Sequence, residues 1–340
     1  MVMNLWRILL YPFTPIYWAV VVVRNKLFDW GVLKSHLIPM PSIGVGNLSV
    51  GGTGKSVVID YLISYLKNNH RVAVLSRGYG RQTTGVVVAD VNSTASTIGD
   101  EPFQFFSKHK NITVVVAEKR ISGIKRLKEM NPTVDLLLLD DVMQHRYVRP
   151  SQMILTTSYQ APYFSDSLLP LGNLREVKSG AERADILVVT KCPDKLSDEE
   201  MNIFGQSLNL KHHQKLFFTK IKYSATVQNK KNKKPLDELQ PSFLLVTGIA
   251  NPEPLTEYLM SVQLKFDHLT FPDHHFFSLK DIQTIKKMQK GRVILTTEKD
   301  FTRLEPLMKD ENLFFLPIKM EFLTQTMKTQ FDTLLVKKDH

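Results

Sequence analysis

The sequence predicts an α/β fold, with a parallel sheet covered by helices on both faces and a smaller second α/β unit after it. The runs RVAVLS (Arg71 to Ser76), ITVVVA (Ile112 to Ala117), VDLLLLD (Val134 to Asp140) and ADILVVT (Ala184 to Thr190) are strand-length and apolar almost throughout, not at alternate positions. That pattern means burial on both faces. Helix-like stretches alternate with these runs, which is the rhythm of a three-layer α/β/α domain. At 340 residues the chain has room for about two domains with cores of their own. Its 43% hydrophobic and 23% charged residues exclude a disordered or fibrous protein.

The first element is ILLYPFTPIYWAVVVV, between Arg7 and Arg24. It falls short of the roughly 20 apolar residues of a membrane span, holds Pro12 and Pro15, and is followed by no small-x-small cleavage site. It reads as a segment lying in a membrane interface, with Trp6, Tyr11, Tyr17, Trp18 and Trp30 at headgroup depth and Arg7, Arg24, Lys26 and Lys34 toward lipid phosphates. A buried core helix is the other reading the stretch allows. IGVGNL (Ile43 to Leu48) then leads into a helix beginning near Lys55, and KLFFTKI (Lys215 to Ile221) ends the first domain's apolar runs. NKKNKKPLDELQP (Asn229 to Pro241) is polar and lysine-rich with no interleaved aromatic residues, the composition of a solvated linker and not of a nucleic-acid patch. FLLVTGI (Phe243 to Ile249), FDHLTF, a helix over Leu279 to Gln289 and RVILTT (Arg292 to Thr297) repeat the βα rhythm beyond it. The expected division is 1–36 for the apolar segment, 37–225 for the first domain, 226–241 for the linker and 242–340 for the second domain.

Lys plus Arg number 44 against 33 Asp plus Glu, a net charge of +11, so the surface favours an anionic partner. The single cysteine, Cys192, forms neither an intramolecular disulfide nor a thiolate zinc cluster and points to a reducing compartment.

The strongest chemical signal is VGNLSVGGTGKSVVIDYL, a buried strand running through Ser49, Val50, Gly51, Gly52, Thr53, Gly54, Lys55 and Ser56 into a helix. Such a loop closes its backbone N–H groups around phosphate oxygens at a helix N-terminus, with Lys55 toward the β/γ-phosphates and Ser56 on magnesium. Ser49 stands where the general pattern opens with Gly. LLLLDDVMQH delivers Asp140 and Asp141 to the carboxyl end of a strand, where open α/β sheets bind ligands and where an acid can hold the same magnesium. GDEPFQFF places Asp100 and Glu101 at a helix start, as caps or as catalytic acids. FPDHHFFS supplies His274 and His275 in a turn. TKCPD (Thr190 to Asp194) resembles the guanine-reading N-K-x-D element, but Thr190 replaces Asn and Asp194 lies one residue too far.

Taken together, VGNLSVGGTGKS, SRGYGR (Ser76 to Arg81), GDEP, LDDVMQH, LPLGNLRE (Leu169 to Glu176), DHHFFS and TTEKD (Thr296 to Asp300) resemble, in order, the tetraacyldisaccharide 4'-kinases, the lipid A 4'-kinases of Gram-negative bacteria. Ser49 fits that family. Val142 departs from it, since Gly usually follows the Asp pair. The resemblance implies a P-loop NTPase-like kinase that uses ATP and Mg2+ to phosphorylate the 4'-hydroxyl of tetraacyldisaccharide 1-phosphate, giving lipid IVA at the cytoplasmic face of the inner membrane, with a glycolipid and a membrane surface as partners and no nucleic acid. It also implies Asp100 as proton acceptor paired with His274, alongside Lys55. Magnesium would fall to Ser56, Asp140, Asp141 and Glu101, and the acceptor to Arg77, Arg120, Gln144, Asn173 and Arg175. The rival is a deviant phosphate-loop switch of the partitioning or division-site kind, whose signature lysine is replaced by Val50 and which needs neither the DHH turn nor LPLGNLRE.

Overall fold

The computed structural model describes residues 10–130, 132–239 and 241–336; Trp6 and Arg7 of the apolar segment lie outside them. Helix α1 (Thr14–Asp29) comes first. Pro12 sits in the turn before it and Pro15 in its first turn, where a missing N–H costs nothing, so the prolines start the helix instead of breaking it. Only Asn25 and Phe28 of α1 are buried, which overturns the core-helix reading. Phe13, Ile16, Val20 and Val23 are each more than half exposed and recur at helical spacing along one face. The other face is docked: Tyr17 Oη donates to Arg175 O at 2.9 Å, Arg24 to Gln144 O at 2.8 Å and Asn25 Nδ2 to Glu176 Oε1 at 2.9 Å. No helix among the described residues is long and apolar enough to cross a membrane.

The first sheet holds β1 (Ser42–Gly46), β2 (Val72–Ser76), β3 (Val87–Val88), β4 (Thr113–Val116), β5 (Leu136–Asp140), β6 (Gln152–Ser158), β7 (Ile186–Thr190) and β8 (Lys215–Tyr223). Across the sheet these run β8-β7-β6-β1-β5-β2-β4-β3, parallel except for β3. Alternate residues serve opposite faces. Val45, Val74 and Leu138 pack with Val58, Ile59 and Leu62 of α2 (Lys55–Leu66). On that same face α3 (Asp100–Lys108) lies against β4 at one margin and adds Phe105, whereas Leu75, Leu137 and Leu139 face the other way and meet Ile124 and Leu127 of α4 (Arg120–Met130). Next to β7 and β8, α5 (Asp198–Ser207) adds Met201 and Phe204, its start fixed by a reciprocal Ser197–Glu200 cap. Val142, the departure from the family pattern, is buried over β1, where a Cβ on Gly44 would stand 2.7 Å from its Cγ1. The glycine gives the valine its space.

The second sheet, ordered β10-β9-β14-β13-β11-β12, consists of β9 (Thr226–Gln228), β10 (Lys233–Pro235), β11 (Phe243–Thr247), β12 (Phe266–Thr270), β13 (Ile294–Thr297) and β14 (Leu313–Leu316). Its helices are α6 (Glu253–Ser261), α7 (Leu279–Gln289) and α8 (Glu298–Met308). The chain then returns to the first sheet. Strand β15 (Ile318–Phe322) pairs antiparallel with β8, and α9 (Gln325–Val336) buries Phe331 completely among Phe217, Phe322 and Tyr61.

The sheets therefore do not divide where the sequence suggested. Much of the lysine-rich stretch is the β9–β10 hairpin, whose tip is closed by Asn229 N donating to Asn232 O at 2.9 Å and whose Lys230 and Lys231 meet Glu305 and Glu311. The crossing itself has two strands. Tyr223 pairs with Ile318, Ser224 N donates to Pro317 O at 2.9 Å, and Gln228 pairs with Phe315. Residues 318–336 belong with the first sheet and not with the second.

Phe331→Ala should destabilise the protein by about 3–5 kcal/mol, read as a lower denaturant midpoint with an unchanged slope. A change below about 1 kcal/mol would mean that α9 is not part of the first core.

Candidate active site

Between β1 and α2 the chain forms a tight loop at the carboxyl edge of the first sheet. Gly54 opens α2 with a φ of 80°, and a Cβ there would stand 2.9 Å from Thr190 Oγ1, so both conformation and space call for glycine. Threonines on neighbouring strands pin the loop from beneath: Thr190 Oγ1 donates to Thr53 O at 2.9 Å, and Thr53 Oγ1 shares hydrogen bonds with Thr156 Oγ1 at 2.9 Å and Asn47 Nδ2 at 2.8 Å. LPLGNLRE forms the outer wall. Ser49 bridges to Leu174, Val50 N donates to Asn173 O at 2.7 Å, and Arg175 N donates to Leu48 O at 2.7 Å. Gly51, Gly52 and Thr53 lead to the N-terminus of α2, a ready anion site.

Beside the loop stands a wall of alternating charge. Asp140 ends β5 fully buried, with Oδ2 accepting from Ser76 Oγ at 2.8 Å and Oδ1 without a partner. Burial, with the charges of Glu101 and Asp141 nearby, pushes its carboxyl well above the usual carboxylate range. Asp141 is the reverse case. Although burial opposes ionisation, a two-pronged bond from Arg175 (2.9 and 2.7 Å) and Lys55 Nζ at 3.5 Å hold it far below that range. Ser56 Oγ donates to Glu101 Oε1 at 2.7 Å, tying the phosphate loop's helix to the first turn of α3.

The residues expected at the acceptor differ in how far they are already engaged. Arg175 also bonds Asn47 Oδ1; Gln144 Nε2 donates to Asn47 O at 2.8 Å; Asn173 Nδ2 donates to Asp166 at 3.1 Å. Arg120 is 3% exposed, its guanidinium on Ala117 O and Asp140 O. Arg77 is exposed, and its guanidinium has no hydrogen bond or ion pair among the described residues. His145 is kept neutral: burial, with Arg120 and Arg77 beside it, pulls its pKa down to about 4.

Asp100, at the start of α3, receives groups from the second sheet's side. His274 Nδ1 lies 3.1 Å from its Oδ2, and Arg303 of α8 lies 3.1 Å from the same oxygen. Lys299 Nζ is 3.1 Å from His274 Nε2. An ammonium only donates, so Nε2 accepts and Nδ1 carries the proton toward Asp100. Burial pushes the Asp100 carboxyl up, but the His274 bond, with Arg303 and Lys299, more than offsets it and holds the group below the ordinary aspartate value. His274 itself has a φ of 57°, an uncommon conformation for a non-glycine residue that here aims the ring. Sequence reasoning paired Asp100 with His274 but missed Arg303 and the bond from Lys299. TTEKD marks the start of α8, yet nothing local shows that the next turn reaches Asp100.

A family model described as tetraacyldisaccharide-1-P 4'-kinase matches residues 6–336. The chain is 46% identical over 336 residues to a tetraacyldisaccharide 4'-kinase of Flavobacterium johnsoniae, covering 98% of each chain. It is 44% identical over 349 residues to one of Bacteroides thetaiotaomicron, covering 96% of this chain and 92% of that one. The solved structure of the "apo" form of LpxK from Aquifex aeolicus in complex with ATP superposes with a TM-score of 0.78 at 28% identity, over 97% of this chain and 99% of that one.

Replacing His274 by Ala removes an influence that lowers the Asp100 pKa, so Asp100 should titrate at higher pH in the variant, as followed by carboxyl carbon NMR. An unmoved titration would mean that the imidazole does not hold the carboxylate.

Proposed function

Because the chain belongs to the tetraacyldisaccharide-1-phosphate 4'-kinase family, its reaction is ATP-dependent phosphorylation of the 4'-hydroxyl of tetraacyldisaccharide 1-phosphate, and we propose how its residues divide that work. The observation that carries the proposal is the Ser56–Glu101 bond, which seats the Asp100 end of α3 beside the phosphate loop.

The ATP phosphates lie along Ser49 to Ser56, with Lys55 leaving Asp141 to meet the β/γ-phosphates. The side chains present fit magnesium. Ser56, Glu101 and Asp140 offer only hard oxygen donors, and Asp140 Oδ1 is buried without a partner. When bound, the ion would neutralise charge on the nucleotide's phosphates. Both Asp141 oxygens are taken by Arg175, so Asp140 stands ahead of it as a ligand and Asp141 serves as counter-charge to Lys55 and Arg175. Among the described residues no three His, Cys, Asp or Glu side chains form a preassembled metal cage, and phosphates and water would complete such a shell.

Asp100, held ionised, takes the proton of the 4'-hydroxyl as the hydroxyl's oxygen bonds to the γ-phosphorus and the bond from that phosphorus to the β,γ-bridging oxygen breaks, releasing ADP. The Nδ1–H of His274 fixes the carboxylate's orientation, and Lys299 and Arg303 keep it charged until it takes the proton. Arg77, exposed and unpaired among the described residues, suits the acceptor's own phosphate; Arg175, Gln144 and Asn173 shape the wall it rests on, and Arg120 backs that wall from within. The apolar face of α1 lies in the lipid surface that presents the acceptor, at the cytoplasmic face of the inner membrane. A partitioning-type switch finds no support here, since it has no use for a second sheet that supplies His274 to Asp100.

With labelled ATP and the disaccharide acceptor, Asp100→Ala and His274→Ala should each lower kcat by roughly 10²-fold or more at little cost in ATP affinity. The double variant should fall well short of the product of the two losses; fully multiplicative losses would separate the pair. Replacing Ile16, Val20 and Val23 together by Ser should weaken binding to anionic vesicles and raise KM for the lipid much more than for ATP, with thermal stability retained. Unchanged vesicle binding would remove α1 from the interface.

A further inference from the structure

Lys191 directly follows β7, which is two strands from β1 on the side away from β5 and its Asp140. Its ammonium stands 3.5 Å from where a Cβ on Gly52 would sit, so it overhangs the middle of the phosphate loop. The side chain is half-buried and its backbone is left-handed, with a φ of 57°. Burial lowers its pKa and no carboxylate counters the effect. Among the described residues Nζ has no hydrogen bond or ion pair. Asp194, the acid of the same loop, is taken by Lys220 at 2.8 Å, and Glu101, Asp140 and Asp141 line the opposite flank of the loop. Lys55 differs, because it leans on Asp141.

A cation withdrawn from water without a counter-charge is costly to hold, and here it stands over a loop built to receive an anion. The reacting end of that anion must lie toward Asp100 and Asp140, so a group on the other flank meets phosphates that do not react. We propose that Lys191 is a nucleotide-binding residue whose ammonium contacts the non-transferred phosphates of ATP and keeps that contact in the ADP product. The proposal rests on ATP being the phosphoryl donor. It also gives TKCPD a role without guanine, in which Thr190 pins the loop from below and Lys191 covers it from above.

An interaction made equally with ATP, transition state and ADP changes binding and leaves kcat alone. The full-length Lys191→Met protein, which keeps the stem length and loses the charge, should show KM for ATP and calorimetric Kd for ADP each raised roughly tenfold or more. Its kcat at saturating ATP should stay within about twofold. The unliganded Tm should match wild type while the ADP-induced rise in Tm shrinks, and Lys191→Arg should recover part of the ADP affinity. Lys191→Gln serves as a second neutral variant if the Met protein does not fold. Unchanged ADP affinity in a folded neutral variant overturns the proposal, as does a fall in kcat with KM unaltered, which would place the lysine on the reacting phosphoryl group. Wild-type protein that binds no ADP would instead bring down the kinase reading and this proposal with it.

Discussion

A carboxylate that is to take a proton from an alcohol, the role proposed for Asp100, must be dry enough to act and still be ionised, and the surroundings of Asp100 meet both demands. Burial by itself would protonate the group. His274, Lys299 and Arg303 keep it charged, and all three come from the second sheet's side of the molecule. Helix α3 is fixed at both ends to make this work. At its start Glu101 bonds Ser56; at its end Lys108 bonds Asp60 of α2 at 3.0 Å and Glu298 of α8 at 3.3 Å. The phosphate loop, the proposed proton acceptor and the second sheet therefore share one short helix, and displacing that helix disturbs all three.

The amphipathic helix α1 joins the same network from the opposite side. Tyr17 bonds the carbonyl of Arg175, whose guanidinium holds Asp141 and Asn47, and Asn47 steadies Thr53 in the loop. The surface proposed to rest on lipid is thus a few hydrogen bonds from the phosphates. The polar face of α1 is hydrogen-bonded into the wall beside the phosphate loop, so the proposed lipid-facing surface and the proposed nucleotide site are parts of one bonded edge.

Much of this was legible in the sequence where chemistry and local pattern coincide. Continuous apolar runs identified β2, β4, β5 and β7 because burial on both faces leaves no room for polar alternation. The phosphate loop announced itself because its glycines answer to local backbone demands. Strand β6 did not, since Thr156 and Thr157 make QMILTTS look mixed. Their hydroxyls are spent inside, on the loop and on Tyr163 N. The β9–β10 hairpin read as a linker because an edge strand shielded by lysines has the composition of solvent-facing coil. Arg303 was invisible for a third reason: its meeting with Asp100 exists only once two sheets have docked, and no spacing along the chain encodes it.

A single connecting strand would let one unit swivel about any bond, whereas the paired crossing at Tyr223–Ile318 and Gln228–Phe315 behaves as a ribbon. Hydrogen-bonded strands fix each other's register, which a lone strand cannot do. The second sheet is thereby mounted on the first at two points of the chain, and the backbone that joins the sheets also fixes the side from which His274 reaches Asp100.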